Sequence, residues 1–276
     1  MKLFLDSAIL SEIEYVFNAG VCDGVTMNPS LVKKAVDKLK DEGKDTSLDK
    51  YLSEALKIAK GTPVSLEVTE LDAKGMIEQG KALYKKFNPI ANNVYIKIPV
   101  NPSFPDSEGK EFEGIIAIKE LHKAGIPINC TLIFTPEQAL LAAKAGADFV
   151  SPFAGRIDDL LRKEKGGDFD KMAYFPSYGI DKDGKQLNDN GIVSGVELVA
   201  QTVQILKHYN LKTQVLAASI RNARQVRECA LAGADIATIP YSIFRDLLSH
   251  KLTANGMVSF MKDTPEEFTK LVWNEL

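Results

Sequence analysis

The segment AKAGADFVS, residues 143–151, joins the end of one predicted helix to the start of one predicted strand. Gly146 follows an alanine-rich helical pattern, and glycine at this point commonly takes the left-handed conformation that ends a helix. The β-branched and aromatic residues after it are typical of a strand. The same junction recurs as LHKAGIPIN (121–129) and LAGADIATI (231–239), and more loosely as NAGVCDGVT (18–26). The chain therefore repeats a helix–strand unit.

Eight short runs of strand-forming residues occur along the chain, each followed by a helical pattern. They are KLFLD (2–6), DGVTMN (23–28), PVSLEV (63–68), NVYIKIPV (93–100), PINCTLIF (127–134), DFVSPF (148–153), TQVLAAS (213–219) and DIATIPY (235–241). In the first helical pattern Ile9, Ile13, Val16 and Phe17 fall on one face. Alternating strands and helices indicate parallel βα units, so we predict an α/β fold, a (β/α)8 TIM barrel. The rival is a doubly wound open sheet, which usually has a glycine-rich turn after its first strand. LDSAILSE (5–12) has no such turn.

Two stretches do not fit a minimal barrel. Residues 31–60 contain additional helical pattern with charged connections, and residues 160–192 are polar and rich in turn formers. We interpret the second stretch as an insertion between units six and seven of a single domain that spans residues 1–276. A C-terminal helical tail is predicted at about 264–276, and its Trp273 would pack on the barrel or on a neighbouring subunit.

Composition excludes several classes of protein. The chain has 276 residues, a net charge of −3 and a pI near 5.8, and its basic residues are dispersed, so no nucleic-acid partner is expected. Three cysteines without CxxC spacing argue against a disulfide framework or a zinc site. We find no signal-peptide pattern and no apolar run long enough to span a membrane. We therefore expect a cytoplasmic protein that does not bind membranes.

Lys97 lies inside VYIKIPV (94–100), a run of strand formers. Strand alternation places Tyr95, Lys97 and Pro99 on one face. Burial disfavours the charged form of an inward-facing lysine, and a free amine can attack a carbonyl to form a Schiff base. The alternative is a lysine that faces solvent on an edge strand. A closed barrel has no edge strand, so we favour the nucleophile.

Two carboxylates lie near other predicted strand ends. Asp6 closes the first strand, where it could act as a general acid or base, but Asp6 or Ser7 could equally cap the following helix. Glu67 lies in a buried run, where an unpaired carboxylate is costly. It could be functional, or it could form a structural ion pair with Lys97.

Polar residues fall at the C-terminal ends of most predicted strands, where a barrel keeps its reactive groups. Besides Asp6, Glu67 and Lys97 they are Asn28, Asn129, Thr131, Ser151, Ser219 and Arg221. Arg156 follows the sixth strand, and two guanidinium groups beside hydroxyls suit an oxyanion such as a sugar phosphate. The alternative for Arg156 is a surface ion pair with Asp158 or Asp159.

Together these residues resemble the transaldolase family, which includes the fructose-6-phosphate aldolases. The similar blocks, in family order, are LFLDS, GVTMNPS, SLEVTE, VYIKIPV, NCTLIF, AGADFVSPFAGRIDD and VLAASIRN. The likeness leaves out the 160–192 insertion. It implies a (β/α)8 barrel enzyme that moves a dihydroxyacetone unit between sugar phosphates.

The resemblance also implies roles for particular residues. Lys97 would form the Schiff base with C2 of the ketose, Asp6 would take the proton of the C4 hydroxyl, and Glu67 and Thr131 would handle a catalytic water. Asn28, Asn129 and Ser151 would contact the hydroxyl groups of the donor. Arg156, Ser219 and Arg221 would bind the phosphate. Ser30 and Phe153 are the other implied substrate contacts. No metal and no cofactor is expected, because the protonated imine is the electron sink. We expect sugar phosphates as small-molecule partners and a homo-oligomer.

Two positions bear on the reaction type. The aldolases that this chain resembles carry Gln in place of Glu67 and Tyr in place of Phe153, so both residues here favour a transaldolase. An aldolase is the alternative, and so is a transaldolase for a sulfonated ketose, because an arginine pocket would accept sulfonate. A barrel that only senses a sugar phosphate is not favoured, because every reacting residue is present, and a purely structural role would leave Lys97 and Glu67 in apolar strands unexplained.

Overall fold

Eight parallel strands form a closed barrel, which confirms the predicted fold class. The computed structural model describes residues 1–41, 43, 47–101, 109–265 and 268. The barrel strands are β1 (Lys2–Asp6), β2 (Gly24–Thr26), β3 (Val64–Glu67), β4 (Val94–Pro99), β5 (Ile128–Ile133), β6 (Phe149–Pro152), β9 (Gln214–Ala217) and β10 (Ile236–Ile239). Each pairs with the next, β6 pairs with β9, and β10 closes the barrel against β1.

The helices of the described ranges surround the barrel. They are α1 (Leu10–Asn18), α2 (Pro29–Asp41), α3 (Leu48–Ile58), α4 (Ala73–Ala91), α5 (Glu113–Lys123), α6 (Pro136–Ala145), α7 (Ala154–Lys165), α8 (Gly195–His208), α9 (Ala223–Leu231), α10 (Tyr241–Asp246) and α11 (Lys251–Asp263). The predicted apolar face of α1 is confirmed, since Ile13 and Val16 are buried and Ile9 and Phe17 pack against the same core. The helices α2 and α3 account for the additional helical pattern predicted within residues 31–60.

The alanine–glycine junctions have the predicted conformation. Gly125, Gly146 and Gly233 follow α5, α6 and α9 with φ of 72°, 103° and 88°. A side chain would be strained at these angles, so glycine is the residue that ends each helix and turns the chain into the next strand.

A second repeated feature lies at the start of three strands. The carboxylates of Asp23, Asp148 and Asp235 each accept a hydrogen bond of 2.8 Å from a backbone N–H of the neighbouring strand, 20 residues earlier in the chain. Each aspartate thereby satisfies a backbone donor within the first two residues of a strand. This contact fixes the stagger between adjacent strands.

Aromatic rings fill the N-terminal half of the barrel interior. Phe4 meets Phe149 edge to face at 6.0 Å, and Tyr95 stacks on Phe149 at 4.7 Å. The Phe4 ring leaves room only for glycine at position 24, because a Cβ there would lie 2.7 Å from the ring. The polar inward-facing positions of the same strands therefore gather at the opposite, C-terminal end.

The region between α7 and α8 contains a small antiparallel hairpin, β7 (Asp181–Lys182) and β8 (Lys185–Gln186). It lies within the predicted insertion at 160–192, although α7 itself extends to Lys165. Of the predicted tail at 264–276, all but Thr264, Pro265 and Phe268 lie outside the described residues. In the described ranges, the helices are each too short or too polar to cross a lipid bilayer.

Candidate active site

A cavity of about 190 Å³ lies at the C-terminal ends of the barrel strands. Most residues predicted for the site line it: Asp6, Asn28, Lys97, Asn129, Thr131, Ser151, Phe153, Arg156, Ser219 and Arg221. Glu67 lies beside Lys97 and lines the adjacent, more apolar cavity. Ser30 is exposed in the first turn of α2 and does not line the cavity, so its predicted substrate contact has no support from its position.

Lys97 is buried, at 6% exposure, on the inner face of the barrel. Its Nζ lies 3.0 Å from Glu67 Oε2 and donates to the carbonyl of Met27 at 3.4 Å. Because β4 lies between β3 and β5, the solvent-facing edge-strand alternative is wrong. The ion pair with Glu67 is present, and the same geometry places a carboxylate where it can accept the amine's proton.

Asp6 accepts a hydrogen bond from Thr26 Oγ1 at 2.8 Å, and Thr26 lies 2.5 Å from the hydroxyl of Thr238. Burial raises the pKa of Asp6 above its ordinary value, while Lys97 and the Thr26 hydrogen bond partly oppose this. The alternative in which Asp6 or Ser7 caps the first helix is wrong, because the N-cap position of α1 is Ile9. The helix begins later than the sequence pattern indicated because Ser7 Oγ accepts from the N–H of Ile9 in a local turn.

A line of side chains crosses the floor of the cavity. Ser151 donates to Asn129 Oδ1 at 2.6 Å, and Asn129 Nδ2 donates to Ser65 at 3.1 Å, so the amide orientation is fixed. Next to them the buried Thr131 hydroxyl has no hydrogen-bond partner among the described residues. Thr131 precedes Leu132, whose φ of 58° marks an irregularity in the pairing of β5 with β6. Such bulges redirect side chains beside active sites.

Two arginines lie at the other side of the cavity. Arg221 Nη2 donates to Asp159 at 2.8 Å, whereas the Arg156 guanidinium lies over the Phe153 ring at 5.2 Å. The surface ion pair proposed for Arg156 is wrong: no ion pair in the described ranges includes it, and Asp159 pairs with Arg221. Ser219 has a φ of 60°, an uncommon conformation for a residue with a side chain, and it lines the same cavity as the two arginines.

Sequence reasoning missed Thr26 and Thr238, which also line the cavity. Both lie on strands that neighbour β1: Thr26 pairs with Asp6, and Thr238 pairs with Phe4, which is two residues before Asp6. A stricter count of alternate residues in DGVTMN and DIATIPY would have found them. Among the described residues no group of three or more His, Cys, Asp or Glu could hold a metal ion.

Comparison with known proteins places the chain among relatives of similar length. The profile of one family, Transaldolase/Fructose-6-phosphate aldolase, matches residues 3–275. A "Probable transaldolase" of Chlorobaculum parvum is 42% identical over 265 residues, covering 95% of this chain and 97% of the relative. Proteins with the same description from Leptospira biflexa and Aquifex aeolicus are 38% and 37% identical, covering 99% and 95% of this chain and 100% and 96% of the relatives.

Proposed function

The chain belongs to the transaldolase/fructose-6-phosphate aldolase family, and from this membership we propose that it is a transaldolase that works through a Schiff base on Lys97. Its donor would be a ketose phosphate, sedoheptulose 7-phosphate or fructose 6-phosphate, and its acceptor an aldose phosphate. The observation that best supports the proposal is the buried Lys97 amine, 3.0 Å from Glu67, in a cavity that also holds two arginines.

The proposed reaction begins when Glu67 accepts a proton from Lys97 and the free amine attacks C2 of the ketose. Loss of water, with Thr131 positioning it, gives the protonated imine. Asp6 then takes the proton of the C4 hydroxyl, the C3–C4 bond breaks, and its electron pair moves into the imine to form an enamine. The aldose phosphate leaves, and an acceptor aldehyde adds to the enamine by the same steps in reverse.

The remaining cavity residues fit the substrate's two ends. Asn129 and Ser151, held by one another and by Ser65, offer fixed donors and acceptors to hydroxyl groups. Arg156 and Arg221 supply the guanidinium groups that bind phosphate most strongly. The α11 helix leaves Leu252, Phe260 and Met261 about 70% exposed, so the proposal includes a homo-oligomer in which these side chains are covered.

The family also contains aldolases, and Phe153 is the residue that favours transfer. It lines the cavity with an apolar ring, packed against Phe134 at 5.7 Å. Such a ring has no hydroxyl with which to position the water that would release the dihydroxyacetone unit. An aldolase would release free dihydroxyacetone without an acceptor, and that release distinguishes the two activities.

The first test is to mix the protein with fructose 6-phosphate and borohydride, and then to measure its intact mass and map the modified peptide. We expect a three-carbon adduct on Lys97, because a transaldolase keeps the donor fragment bound until an acceptor arrives. Lys97→Met, treated in the same way, serves as the control and should carry no adduct.

Other outcomes would count against the proposal. A folded protein that forms no adduct with fructose 6-phosphate or sedoheptulose 7-phosphate would exclude both donors, and a sulfonated ketose would then be tried. An adduct on a lysine other than Lys97 would refute the assigned nucleophile. Release of free dihydroxyacetone as fast as donor is consumed would favour the aldolase.

A further inference from the structure

We infer that Asp159 is a positioning residue that holds the Arg221 guanidinium in place for the substrate's phosphate group. The inference rests on the proposed function, because it concerns the same cavity. The sequence assigns Asp159 no such role, and it lies 62 residues before Arg221 in the chain.

The contact between the two residues is direct and largely shielded from water. Asp159 is 8% exposed, and its Oδ2 accepts from Arg221 Nη2 at 2.8 Å. A guanidinium has five N–H donors in a rigid fork, so one bond to Asp159 leaves most of them for a ligand. Arg221 Nε is buried and has no partner within the described part of the chain, although Arg221 lines the cavity.

A neighbouring aspartate holds the backbone of the same arginine. The N–H of Arg221 donates to Gln225 Oε1 at 2.8 Å, and Gln225 Nε2 donates to Asp158 at 2.7 Å. The other oxygen of Asp158 accepts from the N–H of Gly195 at the start of α8. Asp158 thus positions the loop after β9, while Asp159 positions the side chain that the loop carries.

The insertion between α7 and α8 braces Asp159 from its other side. Arg162 Nη1 lies 3.9 Å from Asp159 Oδ1, and Arg162 Nη2 donates to the carbonyl of Ala173 at 2.6 Å. The Arg162 guanidinium also lies over the ring of Phe175 at 5.3 Å. The segment between α7 and α8 therefore holds a second arginine near Asp159, although no hydrogen bond joins Arg162 Nη1 to Asp159 Oδ1.

Asp159 has two opposite effects on the binding of a phosphate group. Its negative charge repels a phosphate, whereas its hydrogen bond restricts an arginine that would otherwise sample many rotamers. Two guanidinium groups beside Asp159 offset most of its charge. We therefore expect orientation to dominate, so that removing the carboxylate weakens the binding of phosphorylated substrates.

The test measures borohydride-trapped adduct against substrate concentration for the wild type and for Asp159→Asn, using fructose 6-phosphate and, in parallel, dihydroxyacetone. Dihydroxyacetone needs Lys97 but has no phosphate. We expect the half-saturating concentration of fructose 6-phosphate to rise about tenfold, since Asp159→Asn removes the negative charge and leaves Arg221 only a neutral amide acceptor. That of dihydroxyacetone should stay within about twofold. Asp49→Asn, which removes the exposed Lys86–Asp49 ion pair, is the matched control and should change neither.

The outcomes separate the inference from the proposed function. An unchanged or lower half-saturating concentration for fructose 6-phosphate would overturn the inference, and so would equal losses with both substrates, which indicate a structural role. In a protein that already carries Arg221→Ala, adding Asp159→Asn should not change the half-saturating concentration of fructose 6-phosphate further. A rise as large as that caused by Asp159→Asn alone would also overturn the inference. If Asp159→Asn does not fold, Asp159→Ser takes its place. Absence of any adduct in the wild type would overturn the proposed function, and the inference with it.

Discussion

Asp6 is a carboxylate that lines the cavity and whose surroundings suit a base. Burial raises its pKa, and a carboxylate with a raised pKa accepts a proton more readily. Asp6→Asn should still form the imine but should cleave C3–C4 at least about 100-fold more slowly. Trapping with fructose 6-phosphate should then give a six-carbon adduct on Lys97, seen by intact mass. A three-carbon adduct formed at the wild-type rate would contradict this role.

Asp158 gives a prediction about stability and pH. Burial raises its pKa from 3.8 to about 7, even though the Gly195 N–H and Arg162 oppose the shift. The native state therefore binds this proton more tightly than the unfolded state does. The contribution of Asp158 to the free energy of unfolding is largest below its unfolded pKa, falls as pH rises towards the native value, and is constant above it.

Asp158→Asn should remove this dependence on pH. Between about pH 5 and pH 8 the free energy of unfolding should fall by roughly 2–3 kcal/mol more in the wild type than in the variant. Urea unfolding at the two pH values measures the difference. If the free energy of unfolding fell equally in the two proteins, Asp158 would not titrate in this pH range.

The first turn of α7 lies against the loop that follows β9. A Cβ at Gly155 would lie 2.1 Å from the carbonyl oxygen of Ser219 and 2.8 Å from Arg221 Cγ. Gly155→Ala must therefore push the helix and the loop apart. We expect a loss of about 1–3 kcal/mol in the free energy of unfolding. The half-saturating concentration of fructose 6-phosphate should rise while that of dihydroxyacetone changes little.

Gly256→Ala is the matched control for that substitution. Gly256 lies in α11 with open space around it, so an added methyl group meets nothing within 4 Å. Gly256 is four residues from both Leu252 and Phe260, on the face that the proposed homo-oligomer covers, so the control is read from substrate binding, which should be unchanged. If Gly155→Ala behaved like Gly256→Ala, the close packing of α7 on the loop would not matter for the site.

Strand periodicity predicted the inward face of one barrel strand and failed for its neighbour. Alternation predicted the inward face of β4, and Lys97 lies on it. In β5 the left-handed Leu132 interrupts the alternation after Thr131, and nothing in TLIF announces a bulge. A bulge depends on how the neighbouring strand and helix pack, which a single strand's sequence does not contain.

The barrel and most cavity residues could be predicted from the sequence because both follow from local rules. Strand-forming runs and glycine junctions repeat along the chain, and a barrel collects its strand ends at one place. The partner of Arg221 could not be predicted in this way. Asp159 and Arg221 lie on different βα units, and the sequence offered the nearer Arg156 as an equally good partner. Contacts between side chains of distant units require the fold itself.

The aromatic packing of Phe4, Tyr95 and Phe149 has a consequence for the order of events. It closes the barrel at its N-terminal end, so every molecule that reaches Lys97 enters and leaves through the same mouth. In the proposed transfer reaction, the first aldose phosphate would leave by that route before the acceptor arrives. The two aldoses would then occupy the same place in turn, and the proposed enzyme would follow a double-displacement sequence.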